Sequence, residues 1–432
     1  MRERARALIS ILLAYLARAI LARYRPRIIA VTGSVGKTTT KEAIATTLSP
    51  LTTVRKSEKS FNSDFGIPLA VIGIGRSGWN NPYSWGKIFL QGLWLLIGPH
   101  TYPKWLVLEV GAGKPGDIAR LTKWLRPHVA IVTRFPEVPA HIEFFKTREA
   151  LIEEKTELIR AVREGGSVIL NYDDEDVRNL SKATTHTVFT YGFSKKADLQ
   201  VSTLKVWSEK GETIPLGLTF KVAFKEKVFP VAMRNAISQT HVYAGISAIL
   251  TAAALGFDPE VAAQGLVGFE RVPGRLSLVQ GIAKTLLIDD TYNASPASTE
   301  AALDLLTKKW IKGRKIAVLG DMLELGRFTK DGHTMIGHYV KDRTDLLVTV
   351  GKRALDIAAG AIEVGCLPEN VVSFETTKEC IVFLQKEKKE GDVILIKGSQ
   401  GMRMERIVEA LMANPEQKEK LLVRQEKEWR KK

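Results

Sequence analysis

Short apolar runs alternate with longer mixed stretches from residue 27 to about residue 190. Runs that are apolar at successive positions are typical of strands buried on both faces of a parallel sheet, with helices in the stretches between them. The pattern therefore predicts a doubly wound, mostly parallel α/β domain. Its predicted strands are residues 28–31, 105–108, 129–133 and 168–170.

The pattern changes twice beyond residue 190. Residues 198–233 have shorter alternating runs separated by turns, which predicts an antiparallel addition, and an Ala- and Ile-rich helix is predicted over 242–255. A second α/β series begins after the turn at 271–275, so we expect a C-terminal Rossmann-like domain. Its predicted strands are residues 285–288, 316–319, 346–350 and 393–396.

The N-terminal segment, residues 1–25, is apolar over 8–21 and has arginines on both sides. Arg18 interrupts the run, which is short for a membrane span. Two interpretations stay open: an amphipathic helix on the inner face of the membrane, with arginines on anionic lipid, or a helix packed on the protein's own core. A second apolar stretch at 85–97 could share the membrane role, within a segment at 79–102 that resembles an insertion.

Composition adds limits to this picture. The chain has 432 residues, more than one ordinary domain needs, and a net charge of +16. This charge fits anionic lipid or phosphorylated substrates. No basic stripe with interleaved aromatic residues is present, so no nucleic-acid partner is predicted. Cys366 and Cys380 have no metal-type spacing and are expected to be core residues in a reducing compartment.

A Gly-rich turn, Thr32-Gly-Ser-Val-Gly-Lys-Thr-Thr39, joins the first predicted strand to a helix. This is the layout of a phosphate-binding loop, in which backbone N–H groups and a helix N-terminus surround phosphate oxygens. Lys37 is placed to reach terminal phosphates and the Thr38 hydroxyl to hold Mg²⁺. Gly33 and Gly36 enclose two residues, whereas the common motif encloses four. The predicted nucleotide-binding residues are Gly33, Ser34, Val35, Gly36, Lys37, Thr38 and Thr39.

Three further polar residues accompany the loop. Glu109 ends a buried strand, at the edge where open α/β sheets bind ligands, and Mg²⁺ would offset the cost of burying its carboxylate. His141 follows the next strand, and Lys155 lies among acidic neighbours at 153–157, which we expect to hold its amine as a cation. Alone, His141 is typical of a surface residue and Lys155 of a solvated helical charge.

The order of these residues resembles the Mur ligases, the ATP-dependent amide ligases of peptidoglycan assembly, over roughly residues 27–412. Within that family, the resemblance is to the branch that adds D-alanyl-D-alanine. The organisation implied is a central ATP-binding domain of the P-loop ATPase type at 26–270 and a C-terminal domain at 271–415. Beyond these domains, the excess of charged residues predicts a charged tail at 416–432, which we expect to be a solvated helix over 418–432. The matching segments beyond the loop are 61–69, 109–112, 115–117, 140–141, 273–275, 289–296, 319–326, 397–399 and 404–405.

The resemblance implies a reaction that uses ATP and two Mg²⁺ ions and passes through an acyl phosphate. It implies that Thr38 and Glu109 hold one Mg²⁺, that His141 serves the second, and that Lys155 is carbamylated into an anionic metal ligand. The catalytic residues implied are Lys37, His141 and Lys155.

The remaining site residues are also implied by the resemblance. Asp290 would suit ribose hydroxyls. The family commonly has a His-Asn pair before the Ala-rich helix, where this chain has Thr240-His241, so adenine recognition there stays open. The nucleotide contacts implied are Asn171, Arg275 and Asp290, and the acceptor-side residues implied are Asn293, Ser295, Lys397 and Ser399.

Three functions stay open. The first is addition of D-alanyl-D-alanine to a UDP-N-acetylmuramoyl tripeptide. The second is a related ligation of a lipid-linked or polyglutamate substrate at the membrane, because the loop begins near residue 32 and we expect the family's usual UDP-sugar-binding domain to be absent. The third is a non-catalytic, membrane-bound nucleotide-binding scaffold, against which the full set of metal residues argues. We expect a cytoplasmic monomer with possible peripheral membrane contact through residues 1–25.

Overall fold

The computed structural model describes residues 2–58, 61–75, 82–139, 142–209, 214–426 and 429, and two sheets organise this part of the chain. The strands of the first sheet are β1 (Arg27–Thr32), β2 (Val54–Lys56), β3 (Trp105–Glu109), β4 (Val129–Val132), β5 (Ser167–Asn171), β6 (Thr187–Gly192), β7 (Leu199–Trp207), β8 (Gly217–Phe224) and β9 (Lys227–Arg234). Those of the second are β10 (Ser277–Gln280), β11 (Leu286–Asp290), β12 (Lys315–Gly320), β13 (Leu346–Val350), β14 (Val371–Phe374) and β15 (Val393–Lys397).

Helices lie between these strands. Those that precede β10 are α1 (Arg2–Tyr24), α2 (Lys37–Leu48), α3 (Gly66–Ile72), α4 (Pro82–Leu96), α5 (Asp117–Thr122), α6 (Arg148–Arg160), α7 (Glu175–Asn179), α8 (Gln239–Ala254) and α9 (Pro259–Gln264). Those that follow β11 are α10 (Pro296–Leu306), α11 (Thr329–Val340), α12 (Leu355–Glu363), α13 (Thr377–Glu387), α14 (Glu405–Leu411) and α15 (Lys418–Leu421).

The first sheet has the order β2-β3-β1-β4-β5-β6-β7-β8-β9. Strands β2 to β7 are parallel, and β8 and β9 add an antiparallel edge. Successive residues of β1 enter different cores, Ile28 on one face and Ile29 on the other, because side chains alternate along a strand. The predicted parallel sheet with an antiparallel addition is therefore confirmed.

The second sheet has the order β10-β11-β15-β12-β13-β14, and all its pairings are parallel except that of β10 with β11. Both faces are packed, since Ile316 and Ala317 belong to different cores. The predicted C-terminal α/β series is confirmed. Cys380 is fully buried in one of these cores, as predicted, whereas Cys366 is only half-buried.

Helix α1 packs on the protein's own core along one side. Four of its side chains are buried in the core on one face of the first sheet, namely Leu13, Leu16, Ala17 and Ile20. The interpretation of this segment as a packed helix is thus confirmed for that side, while the opposite side is exposed at Leu8 and other apolar residues. Among the described residues, no helix combines the length and the apolar character that crossing a bilayer requires.

The expectation of a solvated C-terminal helix is wrong within the described part of the tail. Helix α15 ends at Leu421, Leu422 enters a core of the second sheet, and Arg424 is buried. The reason is that apolar residues at 421–423 interrupt the charged pattern and anchor the chain to the domain.

Helices α11 and α12 cross where glycines leave no room for a side chain. A Cβ at Gly337 would lie 2.2 Å from the carbonyl oxygen of Ile357. Backbone atoms cannot move aside as a flexible side chain does, so we expect Gly337→Ala to lower the free energy of unfolding by about 1–3 kcal/mol. In Gly86→Ala, the added Cβ meets nothing within 4 Å, so helix propensity should stabilise that variant. Urea denaturation followed by circular dichroism distinguishes the two; equal effects would contradict this packing argument.

Candidate functional site

The phosphate loop lies between β1 and α2 as the sequence predicts. Gly33 has φ +132° and Gly36 has φ +87°, both in the region that favours glycine. A Cβ at Gly33 would lie 2.0 Å from the hydroxyl oxygen of Thr133, the residue that follows β4. The close approach of this residue therefore also requires glycine at position 33. Helix α2 begins at Lys37 and directs its N-terminus into the loop, which makes this turn suited to an anion.

A cavity of about 420 Å³ opens at the carboxyl ends of strands from both sheets, a size that fits a nucleotide. The first domain contributes Ser34, Val35, Gly36, Lys37, Thr38, Thr39, Asn62, Glu109, Thr240 and His241. The C-terminal half contributes Arg275, Leu276, Asp290, Tyr292, Asn293, Ser298, Ala301, Lys397 and Gln400.

Glu109 is held on both of its carboxylate oxygens. The Thr38 hydroxyl donates to Oε2 at 2.8 Å, and the Asn62 side-chain amide donates to Oε1 at 3.2 Å. Hydroxyl and carboxylate oxygens facing a phosphate loop are the donor set that fits Mg²⁺, which completes its shell with phosphate oxygens and water. The described residues hold no cluster of three His, Cys, Asp or Glu side chains able to form a metal cage. Asn62 is a site residue whose role sequence reasoning missed.

Lys37 is half-buried beside the loop, where its ammonium group donates to the carbonyl oxygen of Ser34 at 3.3 Å. Burial lowers the pKa of the Lys37 amine below its ordinary value; Glu109 opposes this effect and Arg275 adds to it. An anionic ligand in the cavity would favour the charged form.

Lys155 comes from helix α6 and reaches the same loop. Its amine donates to the carbonyl oxygen of Gly33 at 3.0 Å, and the residue is 4% exposed. Burial, and after it the charge of Lys37, holds the pKa of the Lys155 amine well below its ordinary value, against the opposing effect of Glu154 and Glu109. The structure therefore brings Lys155 together with the loop that the sequence marks as the nucleotide site.

Two of the acidic neighbours expected to hold Lys155 as a cation are engaged by another residue. Glu153 and Glu157 turn away and pair with Arg160, each at 2.6 Å. Glu154 instead accepts hydrogen bonds from backbone N–H groups at the start of α5, at 2.6 and 2.7 Å. Neighbours in sequence are not neighbours on a helix surface, so only Glu154 acts on the Lys155 amine from within this segment.

His141, expected to serve the second Mg²⁺, lies outside the described residues, as does Ala140 of the same matching segment. Its role stays a prediction.

Four of the residues implied for nucleotide and acceptor contacts meet in the cavity. Lys397 pairs with Asp290 at 2.5 Å and donates to the carbonyl oxygen of Asn293 at 2.9 Å. One carboxylate oxygen of Asp290 is therefore already paired with Lys397, so ribose hydroxyls would share this carboxylate with the lysine. Arg275 lies over the Tyr292 ring at 4.0 Å, and its buried Nε has no hydrogen-bond partner among the described residues. An anionic group in the cavity would satisfy this nitrogen.

Three other implied residues do not line the cavity. Asn171 is buried at the end of β5, and its Oδ1 accepts from a backbone N–H two residues on, at 3.0 Å. Ser295 caps helix α10, and Ser399 accepts a backbone N–H from the loop after β12 at 2.8 Å. The side-chain oxygens of these three residues hold the surrounding chain, whereas Asn293 and Lys397 face the cavity.

Thr240 and His241 do line the cavity, at the start of helix α8. The His241 ring is buried, and its Nδ1 lies 2.8 Å from the hydroxyl of Ser238, which caps the helix. Burial lowers the pKa of His241 to about 4. The ring is therefore neutral at physiological pH, and one of its nitrogens is already engaged.

Arg424 is a second residue that sequence reasoning missed, although the apolar residues at 421–423 could have indicated that the tail docks. Its guanidinium donates at 3.0 Å both to the carbonyl oxygen of Thr291 and to Glu405, and it also donates to the carbonyl oxygen of Tyr292. The tail thus holds the backbone that carries Asp290 and Tyr292 into the cavity.

Comparison with known proteins places this geometry in a family. Models of the Mur ligase middle domain and of the Mur ligase, glutamate ligase domain match residues 31–236 and 274–400. The UDP-N-acetylmuramoyl-tripeptide–D-alanyl-D-alanine ligase of Bacillus subtilis strain 168 is 32% identical over 402 residues, which cover 93% of this chain and 79% of that relative. The chain belongs to the Mur ligase family. The resemblance seen in the motifs is thereby confirmed.

Solved structures of the family support the same fold. MurF from Acinetobacter baumannii has a TM-score of 0.76 at 25% identity, covering 92% of this chain and 79% of that one. MurF ligase from Thermotoga maritima, in complex with ADP, has a TM-score of 0.74 at 26% identity, covering 93% and 83%. The predicted pair of α/β domains agrees with these Mur ligases.

We expect Arg424→Gln to weaken ADP binding, because the backbone at 291–292 loses its anchor, and to lower the free energy of unfolding by about 1–3 kcal/mol. Calorimetric titration with ADP and urea denaturation measure the two effects. Arg406→Gln, an exposed change on helix α14, is the matched control and should alter neither. Unchanged ADP affinity in a destabilised Arg424→Gln protein would show that the tail has a structural role only.

Proposed function

We propose that this Mur ligase adds D-alanyl-D-alanine to a UDP-N-acetylmuramoyl tripeptide, with ATP as the source of free energy. The relative of 32% identity bears the name of that activity and aligns over nearly the whole chain. The observation that carries the proposal is the single cavity in which the phosphate loop faces Asn293 and Lys397 of the C-terminal half. A cavity shared in this way lets one domain activate a carboxylate while the other presents the attacking amine.

The first step is phosphoryl transfer. The donor carboxylate attacks the γ-phosphorus of ATP, and the bond between this phosphorus and the bridging oxygen breaks. The products are an acyl phosphate and ADP. Loop N–H groups and Lys37 neutralise the charge that accumulates on the phosphate oxygens. Thr38 and Glu109 would hold a Mg²⁺ ion, which supplies further charge neutralisation when bound. His141 and Lys155 are proposed for a second ion.

The second step is amide formation. The amine of the dipeptide attacks the activated carbonyl, loses a proton, and expels inorganic phosphate. Arg275, whose Nε is buried and unpartnered among the described residues, is suited to an anionic group of the phosphate or of the acceptor. Closure of the two halves over the cavity would exclude water, which otherwise hydrolyses the acyl phosphate.

Phosphate release tests this proposal against its alternatives. With ATP, Mg²⁺ and the UDP-linked tripeptide present, we expect D-alanyl-D-alanine to stimulate release and L-glutamate not to do so. Stimulation by glutamate alone would support a polyglutamate ligase. A protein that binds ATP but releases no phosphate with either acceptor, or with a lipid-linked donor, would be a nucleotide-binding scaffold.

We also propose that Lys155 is carbamylated. A neutral amine attacks CO₂ and loses a proton to give a carbamate, and the buried position of Lys155 beside Gly33 favours the neutral amine. The product would present anionic oxygens next to the phosphate loop, where the second Mg²⁺ is proposed.

Lys155→Ala should abolish acceptor-dependent phosphate release and regain part of it when a small carboxylate is added, because the carboxylate can occupy the vacated space. Carbon-13 NMR after incubation with labelled bicarbonate should show a carbamate signal that Lys155→Ala lacks and that exposed Lys182→Ala retains. Full activity of Lys155→Ala, or an identical signal from that variant, would contradict the assignment.

The proposal further includes a cytoplasmic monomer whose residues 1–25 make peripheral contact with the inner face of the membrane. The membrane contact is supported by the exposed apolar side of helix α1, which includes Leu8 at 58% exposure. Light scattering should give a mass near the 47.9 kDa of one chain in solution. A mass near twice that value would contradict the monomer.

A further inference from the structure

We propose that helices α1 and α4 form one docking surface for an anionic phospholipid bilayer. This inference deepens the proposed membrane contact of residues 1–25 and is independent of the ligase chemistry. The term docking surface refers below to the outward sides of α1 and α4 together with Ile97.

The two helices are fastened to each other. The Tyr24 hydroxyl donates to the carbonyl oxygen of Leu95 at 2.6 Å. A Cβ at Gly92 would lie 2.2 Å from the Leu16 side chain, so α1 and α4 approach closely at that glycine. The described part of the segment at 79–102 that resembles an insertion is therefore a structural partner of the N-terminal helix.

Both helices are also fastened to the domain. Their inward side chains belong to the same core of the first sheet, for example Leu13 and Ile20 of α1 and Ile88 of α4. Because the inner sides are occupied, neither helix can turn to bury its outer side against this domain.

The outer sides are apolar. Of the 20 large hydrophobic side chains that are exposed in the described residues, 9 lie on the docking surface. They include Ile97 at 73% exposure, Leu90 at 67% and Trp94 at 60%. Such a concentration marks an interaction site rather than ordinary surface composition. Its members are Leu8, Ile11, Leu12, Tyr15, Tyr83, Leu90, Leu93, Trp94 and Ile97.

Apart from Glu3 near the start of α1, the charged residues in the sequences of α1 and α4 are all basic. Arg18, Arg23 and Lys87 are exposed on the two helices. The sequence has no Asp or Glu between Glu3 and Glu42, and none between Asp64 and Glu109. Apolar side chains with cations and no carboxylates match a bilayer interface that contains acidic headgroups.

The composition also distinguishes a bilayer from a second copy of this chain. In a symmetric pairing of two such surfaces, the exposed Arg18, Arg23 and Lys87 would meet a partner face whose described charged side chains are also cations. Tyr15, Tyr83 and Trp94 have an apolar ring and a polar group, a combination enriched at the level of lipid headgroups. The outward sides therefore fit lipid better than a like-charged protein face.

Vesicle sedimentation tests the inference on the full-length protein. We expect binding to vesicles of phosphatidylcholine with phosphatidylglycerol, weaker binding to phosphatidylcholine alone, and release by salt. Trp94→Gln combined with Leu90→Gln should reduce the partition coefficient about tenfold or more. Lys87→Gln should reduce it about fivefold, and only for acidic vesicles.

Leu355→Gln with Leu367→Gln provides the matched control, because these side chains are 52% and 57% exposed in the C-terminal half. An equal loss of binding in that control, or no binding of the unaltered protein to acidic vesicles, would overturn the inference. A dimer that the Trp94 and Leu90 changes dissociate would assign the surface to a second copy instead. Without vesicles, the same variants should release phosphate at the rate of the unaltered protein. A failure of the lipid-binding inference can therefore be distinguished from a failure of the ligase assignment.

Discussion

The site depends on the close approach of the phosphate loop to strand β4 and helix α6. The Thr133 hydroxyl donates to the carbonyl oxygen of Val35 at 2.7 Å, and Lys155 donates to that of Gly33 at 3.0 Å. Both contacts need a loop without a side chain at Gly33, where a Cβ would collide with Thr133. The protein's own contacts therefore hold the loop in an anion-binding shape, and Thr38 follows at the position that faces Glu109.

The loop is surrounded by basic side chains that lie wholly or partly out of water, and their burial costs free energy. Burial lowers the pKa values of Lys37, Lys155 and Lys397, and of these amines only Lys397 forms an ion pair with a carboxylate, Asp290, in the described residues. Arg275 adds positive charge to the same cavity. A polyanion bound in this cavity would offset the cost of burial, because its negative charge favours the charged form of Lys37 and can pair with Arg275.

The sequence was most informative where one local rule decides the outcome. Strands β1 and β3 are apolar on both faces, which only a covered parallel sheet satisfies, and the loop glycines indicate the phosphate site directly. Prediction failed where an outcome depends on which way a side chain turns. The acidic residues beside Lys155 point elsewhere, the hydroxyl of Ser399 serves a neighbouring loop rather than the cavity, and Arg424 is brought to the site by tertiary packing of the tail.

Helix α1 shows why its two interpretations could not be separated from sequence. Leu13, Leu16, Ala17 and Ile20 have the spacing of one apolar stripe, and residues 8, 11, 12 and 15 have the same spacing. The fold buries the first stripe and leaves the second exposed. The helix therefore serves the core and presents an apolar surface at once, and removing it would expose the core as well. For that reason, single substitutions on the outward side separate a membrane role from stability, whereas deletion of the segment does not.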